Sequence, residues 1–294
     1  MKNDQSLHIL LTNDDGHDAP GIQTMHRVLE SSGYRVSMVA PSQEQSATSM
    51  STTTRRNIPL EEMGGNRWHL DAQPADTVLV ALRHLLQDDP PDLVLSGINF
   101  GPNLGIGLHA SGTIGAAVMA LLNGYPAIAV SAGMLFEEAR ESPPVFPSTH
   151  GVLEPAAEFT CRVIESLRES AESDRELMPH GLLLNINYPP LPAERIRGVL
   201  YPEVSMGHLI ELGYYRCDET GHVVPRYHAN VDPQRPDREE GDVRAHLEGY
   251  ITVSPVRPSW NPPSEEAEVL RERLNGVAQP EPAVKPDSGG SKAV

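Results

Sequence analysis

Four apolar runs of strand length, residues 8–13, 35–40, 92–96 and 127–131, are separated by stretches whose apolar residues recur at helical spacing. Alternation of this kind folds through helical crossovers, so the pattern predicts an α/β chain built on a parallel, doubly wound sheet. Between the first two runs, Ile22, Met25, Val28 and Leu29 share one helical face, and Gly33 supplies the stop. Residues 77–86 and 114–122 read as the next crossover helices, the first entered through Pro74 and Asp76. A helix over 153–169 and a strand over 182–187 bring the chain back to the sheet.

The core is therefore expected over 1–197, interrupted at 134–151 by a surface loop that carries a charge cluster with Pro143, Pro144 and Pro147. Residues 198–256 read as short extended segments with turns, ending in a strand at 250–254, and predict a β-rich arm. A C-terminal helix is expected within 257–275, capped by Ser264, with Ala267, Leu270 and Leu274 on one face. From 276 to 294, Pro, Gly, Ser and Lys dominate, which predicts a disordered tail.

Composition narrows the function classes. A formal charge of -17 leaves no basic stripe to displace counterions, which argues against binding a nucleic-acid duplex. No apolar segment is long enough to span a membrane, and the polar start lacks the apolar core of a signal peptide, so the expectation is a cytoplasmic protein. Cys161 and Cys217, with no C-x-x-C pair, suggest neither a disulfide framework nor a structural zinc site.

The chemistry-bearing residues gather after strand ends. Asp14 and Asp15 follow the first apolar run, at the carboxyl edge where open α/β sheets bind ligands. Two carboxylates held close repel one another, so one takes up a proton unless a cation neutralises the pair. The same dipeptide also reads as turn and N-cap residues ahead of the helix near Pro20. After the second run comes Ser42-Gln-Glu-Gln-Ser46, and after the third Ser96-Gly-Ile-Asn99-Phe-Gly-Pro-Asn103. Ser46 and Asn99 oxygens beside two carboxylates would make an all-oxygen site suited to Mg²⁺ or Mn²⁺ rather than zinc. Ser111-Gly112-Thr113 opens the helix at 114, where hydroxyls, free N–H groups and a glycine make a seat for phosphate. Plain N-capping by Ser111 or Thr113 accounts for the same residues. Neither a Walker A loop nor a G-x-G-x-x-G fingerprint is present.

The string Leu10-Leu-Thr-Asn-Asp-Asp-Gly-His-Asp-Ala-Pro-Gly-Ile22, followed by Val39-Ala-Pro41, Gln73-Pro-Ala-Asp-Thr-Val78, Ser96-Gly-Ile-Asn-Phe-Gly-Pro-Asn-Leu-Gly105, Ser111-Gly-Thr-Ile-Gly-Ala-Ala117 and Leu184-Asn-Ile-Asn-Tyr-Pro189, closely resembles the SurE family of metal-dependent 5'/3'-nucleotidases. Gly241-Asp242 and Gly249-Tyr-Ile-Thr-Val-Ser-Pro255 resemble its late signature. The resemblance implies a Rossmann-like, mainly parallel sheet in three α/β/α layers, with a β-rich C-terminal arm exchanged between subunits of a homodimer or homotetramer. It implies one divalent cation per subunit on Asp14, Asp15, Ser46 and Asn99, and phosphate contacts from Asn103, Ser111, Gly112 and Thr113. A nucleoside monophosphate is the implied substrate. Two departures stand out: Gln43-Glu-Gln-Ser46-Ala47 replaces a loop that commonly carries a basic residue and a glycine, and Ala110 stands where a tyrosine often precedes Ser-Gly-Thr.

The residues thus predict hydrolysis of a phosphomonoester by cation-activated water, with Asp14 and Asp15 as the catalytic pair; direct attack by one of them is the alternative route. A receiver-like module also places an acidic pair after its first strand, yet Ser96-Gly-Ile-Asn99 stands where it needs a phosphorylatable Asp. A non-catalytic nucleotide or metal sensor on the same fold is the other reading.

Overall fold

The computed structural model describes residues 6–135, 137–138, 147–173, 176–218, 220–231, 239–259 and 264–274. In chain order the elements are β1 (His8–Thr12), α1 (Pro20–Ser31), β2 (Arg35–Pro41), β3 (Leu60–Glu62), β4 (Arg67–Leu70), α2 (Pro74–Val80), β5 (Leu93–Phe100), α3 (Gly112–Leu122), β6 (Ala127–Ala132), α4 (Pro147–His150) and α5 (Leu153–Ser170). They continue with β7 (Leu183–Tyr188), β8 (Val199–Leu200), β9 (Ile210–Arg216), β10 (Val223–Ala229), α6 (Gly241–Leu247), β11 (Ile251–Val256) and α7 (Ser264–Leu274). The chain forms two compact units, Met1–Pro258 and Ser259–Val294, the second holding α7.

The first unit is a mixed sheet of order β3-β4-β2-β1-β5-β6-β7-β11-β8. Its middle, β4 through β7, is parallel, and antiparallel pairs appear in it only at β3–β4 and β7–β11. Strand alternation sorts the apolar side chains between two faces. Ile9 and Leu11 of β1 join Met25, Leu29, Phe159 and Ile164 of α1 and α5, whereas Leu10 joins Val78, Ile114 and Ala117 of α2 and α3. This is the expected three-layer α/β/α fold. The order reverses between β1 and β5, whose carboxyl ends form the crevice where such sheets bind ligands.

Several boundaries move. The strand expected at 92–96 runs on to Phe100, with a register shift between Ser96 and Asn99. Gly97 makes this possible: its φ is +141°, and a side chain there would meet the Val130 carbonyl at 2.3 Å. Asn99 is therefore a strand residue facing β6, not a loop residue. The helix expected over 77–86 begins at Pro74, and its last turn, Ala81–Leu85, widens to a π-helix. Asp76 accepts the Gln73 N–H at 3.1 Å, which holds the helix start.

The region 198–256 divides. Among its described residues β8 and β11 extend the main sheet, the β9–β10 hairpin forms a separate two-stranded sheet, and α6 is a helix where extended chain was expected. The surface loop expected over 134–151 includes the short helix α4; its residues 136 and 139–146 lie outside the described residues, as does the tail 276–294. Among the described residues no helix is long and apolar enough to cross a membrane.

Candidate active site

Asp14 and Asp15 leave β1 in the crevice between β1 and β5. Asp14 is 3% exposed, and its Oδ1 accepts the Thr113 hydroxyl at 2.6 Å. The contact is close because residue 112 is glycine: a Cβ there would lie 2.9 Å from the Asp14 Cβ and Oδ2. Asp15 Oδ2 accepts the Phe100 N–H at 3.2 Å, so the β5 extension reaches the second acid directly.

Burial raises the Asp14 carboxyl from the ordinary 3.8 to about 6, against the opposing pull of its bonds to Thr113. Asp15 is pushed well above the carboxylate range, by burial first, then by the charge of Asp14 and that of Glu44. Among the described residues no cationic side chain contributes to holding either charge. Two desolvated carboxylates without a counter-charge are a cradle for a cation.

Other candidate ligands lie around them. The Asn99 amide nitrogen donates to the Gly101 carbonyl at 2.7 Å and the Phe100 carbonyl at 3.3 Å, which leaves its amide oxygen as an acceptor. Ser46 is exposed on the loop after β2; its N–H donates to Glu44 Oε1 at 2.7 Å, and the neighbouring Gln45 N–H donates to the Asp14 carbonyl at 2.7 Å. Among the described residues no three His, Cys, Asp or Glu side chains gather as metal ligands. A cation here would rest on two carboxylates completed by neutral oxygens, and that donor set fits a hard divalent ion.

Of the two readings of Ser111–Thr113, the hydrogen bonds display the N-cap. Ser111 Oγ caps α3 by accepting the Ile114 N–H at 3.1 Å, and the Thr113 hydroxyl serves Asp14. The helix start is thus built onto the acid that follows β1, and its first turn offers backbone N–H groups to an anion. Asn103 sits farther along the same edge. Its amide nitrogen donates to Ser131 Oγ at 2.9 Å, its N–H donates to Asn187 Oδ1 at 2.8 Å, and its carbonyl accepts from Asn185 and Asn187 at 2.8 and 3.0 Å. The structure brings Asp14, Gly112 and Thr113 into contact and places Asp15 and Asn99 at one strand end, whereas the bonds of Asn103 run to β6 and β7.

Four contributors lie in segments the sequence singled out, without their roles being read from it. Glu44 adds negative charge beside both acids. Asn185 and Asn187 clamp Asn103; the motif Leu184-Asn-Ile-Asn-Tyr-Pro189 marked both positions but not this role. Buried Asp242 accepts the N–H groups of Gly105 at 3.1 Å and of Ser205 and Val243 at 2.9 Å, anchoring the segment that leads to Ser111.

The sequence of residues 9–210 matches the family described as Survival protein SurE. A 5'-nucleotidase SurE of Carboxydothermus hydrogenoformans is 39% identical over 221 residues, covering 73% of this chain and 77% of that protein. One of Erythrobacter litoralis is 36% identical over 257 residues, covering 85% and 93%. The crystal structure of the SurE protein from Aquifex aeolicus superposes with a TM-score of 0.71 at 26% identity, covering 91% of this chain and 99% of that one. Fold, ordered motifs and relatives agree: the chain belongs to the SurE family.

Proposed function

We propose that the chain hydrolyses phosphomonoesters, with nucleoside 5'-monophosphates as principal substrates and 3'-monophosphates as further ones, using one Mg²⁺ or Mn²⁺ per subunit. The observation that carries this reading is the pair of desolvated acids without a cationic partner, set against the first turn of α3. Relatives named as 5'-nucleotidases support the substrate class.

In this reading Asp14, Asp15, Asn99 and Ser46 hold the cation. When bound, it polarises a phosphoryl oxygen and lowers the pKa of water beside it. Thr113 fixes the rotamer of Asp14 through its hydroxyl, and the Phe100 N–H does the same for Asp15. The Ser111–Thr113 helix start and Asn103 receive the remaining phosphate oxygens, supplying fixed donors as negative charge develops. With both acids employed as ligands, the attacking group is water rather than a carboxylate. Phosphate release from AMP and p-nitrophenyl phosphate, with Mg²⁺, Mn²⁺ or EDTA, tests the proposal alongside Asp14→Asn and Asp15→Asn. Activity that survives chelation and both substitutions refutes it; nucleotide binding without phosphate release supports the sensor reading instead.

We also propose that the β9–β10 hairpin joins subunits into a dimer or tetramer. Tyr214 and Val223 on one face of the hairpin are 68% and 64% exposed, and Tyr215 and Val224 are exposed on the other. A two-stranded ribbon with apolar residues on both faces gains stability by packing on a partner.

A further inference from the structure

Between the end of β5 and the 3-10 turn at Gly105–His109 the chain runs through residues 101–104 without strand or helix. Asn103 lies in this stretch, and its hydrogen bonds described above run to side chains of β6 and β7. Asn187 makes two of them: its Oδ1 accepts the Asn103 N–H at 2.8 Å while its Nδ2 donates to the Asn103 carbonyl at 3.0 Å. A side chain thereby reproduces the exchange of bonds that a strand residue makes with its hydrogen-bonded partner in an antiparallel ladder. An amide carries donor and acceptor side by side on one planar group; a carboxylate in its place would keep the first bond and lose the second. Asn185 adds a donor to the same carbonyl at 2.8 Å.

Ser131 stands opposite Asn187 in the β6–β7 register and takes the other end of the residue, accepting from Asn103 Nδ2 at 2.9 Å. Two neighbours across the ladder therefore fix both the backbone and the side chain of Asn103. Nδ2 carries two hydrogens, so the bond to Ser131 uses one, sets the amide plane and leaves the other for a phosphate oxygen. Asn187 and Ser131 are 0% exposed whereas Asn103 is half-buried, so the clamp lies in the sheet and the residue it holds faces outward.

We infer that Asn187 and Ser131 are positioning residues of the hydrolytic reaction, acting through Asn103 to hold its amide where it receives phosphate. They touch neither phosphate nor cation. The inference rests on the nucleotidase reading, in which Asn103 contacts phosphate, and adds what keeps that contact in place. A donor fixed beforehand costs no reorganisation as negative charge develops, whereas one free to rotate must be ordered in the transition state. In the proposed site the cation is held from elsewhere, by the acids after β1 and by Asn99 on β5, so loosening Asn103 should spare it.

The test measures inhibition by inorganic phosphate, kcat/KM for AMP, and Mn²⁺ affinity by calorimetry. It compares the full chain with Ser131→Ala, Asn187→Leu and Asn103→Ala, and with each of the first two combined with the third. Ser131→Ala and Asn187→Leu should each raise the phosphate inhibition constant and lower kcat/KM by about tenfold, with Mn²⁺ affinity within about twofold of the parent. In the Asn103→Ala background neither should add more than about twofold, because residues that act through a shared partner are not additive. Ser131→Ala removes a single oxygen, so it tests the clamp even if Asn187→Leu fails to fold. Parent values in the folded single variants, full additivity with Asn103→Ala, or Mn²⁺ affinity falling in step with phosphate affinity overturns the inference. An Asn103→Ala protein with the phosphate inhibition and kcat/KM of the parent instead overturns the contact given to Asn103 in the nucleotidase reading.

Discussion

Replacing Asp14 with asparagine should stabilise the cation-free protein while removing its activity. The amide keeps the shape that the close approach of Gly112 requires, and its oxygen can still accept the Thr113 hydroxyl. The charge alone is lost. The folded-state pKa of Asp14 lies above the unfolded value, so the folded chain holds this proton more tightly. The associated stability is fully present below pH 3.8 and disappears as pH rises through about 6. At roughly 1.4 kcal/mol per unit, the shift from 3.8 to about 6 amounts to about 3 kcal/mol at pH 8. Removing the Asp14 charge also relieves the repulsion that raises Asp15, a change of the same sign. For a chain of this size, about 3 kcal/mol corresponds to a rise in Tm of about 5 °C. The assay is thermal unfolding followed by circular dichroism in EDTA, at fixed protein concentration, from pH 3.5 to 8. The two proteins should melt together near pH 3.5 and separate above pH 6, with the Asp14→Asn protein the more stable. Adding Mn²⁺ at about 100 times its Kd should cancel the advantage and at about 1,000 times reverse it, since the ligand then contributes about 3 and about 4 kcal/mol only to the chain that binds it. An Asp14→Asn protein that melts at or below the parent temperature at pH 8 in EDTA would refute the account of the acid pair.

Gly112→Ala should lower kcat/KM about 100-fold, because the new methyl would displace the Asp14 carboxylate from 2.9 Å; activity within twofold of the parent would contradict the contact. Ala47 adopts φ +60°, a left-handed conformation that costs an L-residue roughly 1–2 kcal/mol. Ala47→Gly should therefore raise stability by about 1 kcal/mol in urea unfolding. Tyr214→Ser with Val223→Ser should dissociate the oligomer, read by size-exclusion chromatography with light scattering; a monomeric parent at micromolar concentration would refute the role of the hairpin.

The sheet middle was legible because its strands are buried on both faces and read as continuous apolar runs, as β1, β2 and β6 do. The edges were not. Leu60–Glu62 is exposed throughout and Arg67–Leu70 is largely polar, so neither strand carries a pattern that differs from a loop. Seven residues of α6 are too few to display a 3.6-residue period. Within the site, Asp14 and Thr113 were both identifiable, one as an acid after a strand and the other at a helix start. Their direct bond was not, since 99 positions separate them and only the fold brings them together.

The loop after β2 is held by main-chain groups: His17 N–H to the Pro41 carbonyl at 2.9 Å, Gln45 N–H to that of Asp14 at 2.7 Å, and Ser49 N–H to that of Ala110 at 3.0 Å. Bonds of this kind are indifferent to side-chain identity. The side chains at positions 43 and 45 are therefore free to change over a fixed backbone, while Glu44, which also accepts the Ser46 N–H at 2.7 Å, sets the local charge. It makes the loop a dial for the charge around a fixed cradle, through which a lineage can change which anions are welcome without rebuilding the catalytic scaffold.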